Sequence, residues 1–76
     1  MKYIIFKLAD GDILRSGHVP SMQDAIAQAG GDPALAVAWP TEETNPYVND
    51  TTMWVDSATG FVRELTTNEP LFSISQ

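Results

Sequence analysis

Residues 9–15 read Ala9-Asp10-Gly11-Asp12-Ile13-Leu14-Arg15, and residues 58–63 read Ala58-Thr59-Gly60-Phe61-Val62-Arg63, an echo one residue shorter. Each copy follows a run rich in apolar and aromatic residues, 3–8 in the first case and 53–55 in the second. An apolar run, a polar turn holding a glycine and a second apolar run spell a β-hairpin, because glycine supplies the positive φ that a tight turn requires. The echo is too short and too diverged for a solenoid, and shared turn chemistry accounts for it. Neither hairpin holds a constellation suited to reaction chemistry.

Outward from these turns, residues 3–8 alternate with Ile4, Phe6 and Leu8 on one face and Tyr3, Ile5 and Lys7 on the other. Apolar residues on both faces predict a strand covered on one side and partly covered on the other. Residues 13–19 return as the second strand, and Gly17 within it predicts a bulge. Ser21 is placed to cap a helix, with Asp24 three residues on to complete the exchange and Gly30 as its left-handed end. Met22, Ala25, Ile26 and Ala29 form the apolar stripe of this helix, which is too short to stand without packing on the sheet. Residues 35–39 read as a third strand stopped by Pro40, residues 41–46 as an acidic exposed loop, and 51–56 with 61–66 as the second hairpin.

The expected fold is therefore α+β: a small antiparallel sheet of two β-hairpins plus a short strand, with one short helix packed on it. Residues 1–67 make a single domain, and residues 68–76 an apolar C-terminal tail. Leu71, Phe72 and Ile74 give that tail the character of a strand, which pairs either at the edge of its own sheet or with a neighbouring subunit.

Composition narrows the partners. Ten carboxylates against four cations give a net charge of −6, which disfavours nucleic acid and anionic membrane surfaces. A chain of 76 residues buries only about 60% of the surface its unfolded form exposes. Without cysteine it has neither a disulfide nor a thiolate zinc site as a staple, so a homo-oligomer is expected. The apolar start ends at Lys7, before any signal-peptide core, and no stretch is long enough to span a membrane.

Candidate chemistry is thin. His18 is the single histidine and stands near no nucleophile motif, so it reads as a strand-end residue. Asp10-Gly11-Asp12 resembles the head of a calcium loop, but Leu14 and Ser21 occupy positions that should carry oxygen ligands. Glu42 with Glu43, and Asp56 with Glu64, are carboxylate pairs of the kind glycoside hydrolysis uses, without the long cleft that chemistry needs. No catalytic, cofactor-binding or metal residue is named, no cofactor is expected, and the chain is read as a non-enzyme. Trp39, Tyr47 and Trp54 fill a core, anchor an interface or form a sugar platform. With Leu71, Phe72 and Ile74 they make up the expected interface set.

The run Phe6, Asp10-Gly11-Asp12-Ile13-Leu14-Arg15-Ser16-Gly17 and Pro20 leads into Ala25-Ile26-Ala27-Gln28-Ala29-Gly30 and then Tyr47-Val48-Asn49-Asp50. This pattern resembles the opening of small virion-associated proteins of tailed bacteriophages, of the tail-fibre or tail accessory type. The resemblance covers roughly residues 3–50, and the chain departs from the pattern in the loop of residues 39–46 and in the extra hairpin of residues 51–66. It implies a structural component of the virion, made in the host cytoplasm and acting through assembly with other virion proteins. A capsid decoration protein is the neighbouring alternative, and a small carbohydrate-binding module the alternative of another class.

Overall fold

The computed structural model describes residues 1–42 and 46–76. The elements are β1 (Lys2–Lys7), β2 (Ile13–His18), α1 (Met22–Gln28), β3 (Leu35–Pro40), β4 (Met53–Asp56), β5 (Phe61–Glu64) and β6 (Pro70–Ser75). All six strands join one antiparallel sheet in the order β2-β1-β3-β6-β5-β4. β1 with β2 and β4 with β5 are the sequence-adjacent pairs, so the two expected hairpins appear in outline with two further strands between them.

The sheet rolls until its outer strands meet. Asp12 bridges Trp54, and the Val55 N–H donates to the Gly11 carbonyl at 2.8 Å. On the far side the roll is carried by the short β3–β6 ladder, in which Trp39 faces Ser75 and Pro40 faces Ile74. Rolling gives the sheet an inside: Ile4, Phe6, Ile13, Val55, Val62 and Ile74 pack together there. The outer face of β1 and β3 is covered by α1, whose Ala25 packs with Tyr3 and Ile5 and borders Leu35 and Val37. Strand β1 is thus apolar on both faces for a physical reason, since each face meets a different core.

Ser21 caps α1 as expected: its Oγ accepts the Asp24 N–H at 3.3 Å and donates to the Asp24 carboxylate at 3.0 Å. Gly30 follows the helix with φ +67°. The apolar stripe differs from the expectation. Only Ala25 is buried, with Ala29 beside it, whereas Met22 and Ile26 are exposed. The small alanines let the helix lie close to the sheet, and that approach turns the two larger side chains outward.

Two bulges reset the alternation. In β2, Phe6 faces Ile13 while Ile5 faces Arg15, so Leu14 is the extra residue and is exposed. The expected bulge at Gly17 is corrected. Gly17 faces Tyr3 in regular pairing, and a Cβ there would lie 3.3 Å from the Tyr3 ring, so the glycine makes room for an aromatic side chain. In β6, Val62 faces Phe72 while Arg63 faces Pro70, which leaves Leu71 as the extra residue.

The C-terminal segment is also corrected. Residues 70–75 are not an appendage but an interior strand of the chain's own sheet, between β3 and β5. Ile74 supplies the reason: it is one of the residues that fill the rolled core.

Candidate functional site

The expected interface residues fall in separate places. Ile74 is buried in its own core and offers nothing to a partner. Trp54 is half-buried, and its ring lies over Gly11, where a Cβ would come within 2.9 Å of Trp54 Cε3. It therefore packs on the seam where the sheet closes. Tyr47 is 74% exposed, with its hydroxyl accepting from the Asn49 amide at 3.3 Å. Trp39, Leu71 and Phe72 line two grooves that share Pro40 and Glu42.

The first groove, of about 720 Å³, is bounded by Met1, Lys2, His18, Trp39, Pro40, Thr41, Glu42 and Ser75. It lies where β1 begins and β2, β3 and β6 end, so antiparallel pairing brings four strand ends to it. The second, of about 390 Å³, runs along β6 and is lined by Pro40, Glu42, Pro46, Phe61, Leu71, Phe72 and Ser73. Its lining mixes polar and apolar groups, and the β6 bulge turns Leu71 out beside Phe61, leaving Leu71 42% exposed. Sequence reading found Leu71 and Phe72 but missed Phe61, whose place in the hairpin echo suggested only turn chemistry. It missed Lys2 as well, which reads as an ordinary strand-end cation.

One ionic network stiffens β4 and β5. Arg63 donates to Asp56 at 2.8 Å, to the Asn68 carbonyl at 3.0 Å and to the Thr59 hydroxyl at 3.3 Å, with its guanidinium 5.9 Å from the Phe61 ring centre. The Asp56 carboxyl is held below its ordinary range first by hydrogen bonding from Thr59; burial opposes this, and the hydrogen bond and charge of Arg63 add to the lowering. Of the carboxylate pair Asp56–Glu64, Asp56 is ion-paired with Arg63. Glu43 of the Glu42–Glu43 pair lies outside the described residues. His18 ends β2 at the rim of the first groove. Among the described residues no three or more His, Asp or Glu side chains are grouped to hold a metal ion, and no helix is long and apolar enough to cross a membrane.

Compared with known proteins, no family model, no curated protein and no solved structure matches the chain.

Proposed function

We propose that this chain is a non-enzymatic assembly subunit, and that it serves as a structural component of a tailed-bacteriophage virion, of the tail-fibre or tail accessory type. The observation that carries the assembly reading is the cluster of large apolar side chains in the groove along β6. Phe61, Leu71 and Phe72 line it on the half of the sheet that α1 does not cover. Large apolar side chains gathered in one exposed groove mark contact surfaces more often than isolated ones do. The partner this reading commits to is a further copy of the chain. A core of this size is marginal alone, and burying Leu71 against a neighbour offsets part of that deficit. The placement in a virion rests on the resemblance of the β1–β2 hairpin, α1 and residues 47–50 to the phage proteins.

The virion placement is tested by mass spectrometry of purified phage particles from cells producing the chain. The chain is expected in the particle fraction in several copies per particle. Its confinement to the soluble lysate, with none in the particles, contradicts the placement while leaving self-assembly to be judged on its own.

A further inference from the structure

The geometry points to a second role for the Trp39 groove: it binds a neutral pyranose ring of a glycan. Among the described residues Trp39 belongs to neither apolar cluster, although it is half-buried. A tryptophan that does not serve the core has its flat apolar ring and its indole N–H to offer to a ligand. Besides His18 and Thr41, three polar side chains of different character line the groove, the Lys2 ammonium, the Ser75 hydroxyl and the Glu42 carboxylate. None of the three makes a side-chain hydrogen bond or ion pair among the described residues.

The rim selects the ligand class by charge. An anion entering the groove meets Glu42, and a cation meets Lys2. A neutral polyol uses both, because each hydroxyl donates to a carboxylate as readily as it accepts from an ammonium group. Of neutral polyols, a pyranose also has the apolar face that stacks on an indole. At about 720 Å³ the groove falls within the usual range of small-molecule sites, with room for more than one ring of a glycan. Its floor is built from strand ends whose pairing is fixed, Lys2 facing His18 and Trp39 facing Ser75, so the groups are held in place before a ligand arrives. This inference is independent of the assembly reading, which concerns the neighbouring groove.

The test is a titration of the ¹⁵N-labelled full chain with maltotriose, cellotriose and chitotriose, followed by NMR. At least one trisaccharide is expected to move the Trp39 indole N–H and the Lys2 and Ser75 amides with a dissociation constant of about 1 mM or tighter, while the Trp54 indole stays in place. Trp39→Ala should weaken that binding tenfold or more, and Trp54→Phe should not. Should Trp39→Ala fail to fold, Lys2→Met and Glu42→Ala on the rim carry the same test. The proposal is overturned if no trisaccharide moves the Trp39 indole at up to about 10 mM. It is equally overturned if acetate alone moves these resonances, or if Trp39→Ala binds as tightly as the parent.

Discussion

The Gly11 carbonyl accepts the Val55 N–H at 2.8 Å, and a Cβ on Gly11 would sit 2.0 Å from the Val55 carbonyl oxygen. The turn of the first hairpin is thus pressed against the second, and this contact is where the rolled sheet closes. Gly11 also has φ +78°, so both its backbone conformation and its surroundings demand glycine.

Gly11→Ala should therefore destabilise the chain by about 2–4 kcal/mol, read from the shift in urea midpoint, because a strained backbone and a steric clash add. Gly31→Ala is the control. Its φ is +73° with nothing within 4 Å of a Cβ, so only the left-handed cost of about 1–2 kcal/mol applies. Equal losses at the two positions would mean that the seam is not closed in solution.

Strand β6 should be indispensable. Ile74→Ala is expected to cost about 2–5 kcal/mol by opening a cavity among Ile4, Val55 and Val62. Removing residues 69–76 should abolish the cooperative thermal transition seen by circular dichroism, since β6 links the two halves of the sheet. A truncated chain that melts cooperatively would place those residues outside the fold.

Asp56 should give stability a defined acid dependence. Its folded pKa is depressed below the ordinary 3.8, so its contribution is fully present above that value and is lost as pH falls through the lower folded value. Asp56→Asn should therefore lower stability at neutral pH and flatten the decline below about pH 4 relative to the parent. Urea titrations at a series of pH values compare the two slopes, and identical slopes would show that Thr59 and Arg63 together do not favour the charged form of Asp56.

The helix should respond to its cap and to its contact residue. Ser21→Ala is expected to cost about 1 kcal/mol by removing the acceptor of the Asp24 N–H. Ala25→Leu is expected to cost about 1–3 kcal/mol, because Ala25 is fully buried against Tyr3 and Ile5. Ile26→Ala, at an exposed site on the same helix, should change stability by no more than about 0.5 kcal/mol. Chemical denaturation of the three variants separates these effects.

The hairpin echo was legible in the sequence because turn chemistry is local. Gly11 and Gly60 have nearly equal φ, +78° and +77°, and each accepts a hydrogen bond from a strand outside its own hairpin, Val55 for Gly11 and Ile74 for Gly60. The cap at Ser21 and the two-faced β1 were legible for the same reason. The place of β6 was not, since alternation in residues 70–75 says that they pair but not with which strand. Neither bulge was legible, because a bulge is a mismatch between two strands and exists in neither sequence alone. Leu71 illustrates the consequence: it reads as part of an alternating strand, yet the register shift against β5 turns it out into the groove. Trp39 and Trp54 read alike, and only the roll of the sheet separates one at a groove from the other at the seam.

Self-assembly through the β6 groove is tested most directly by light scattering on the purified full chain and on Leu71→Asp, with circular dichroism confirming that the variant is folded. The account predicts a discrete oligomer for the parent, at a whole-number multiple of 8.3 kDa, and a folded monomer for Leu71→Asp. A parent chain that stays at 8.3 kDa at every concentration, or an oligomer that Leu71→Asp leaves intact, would contradict it.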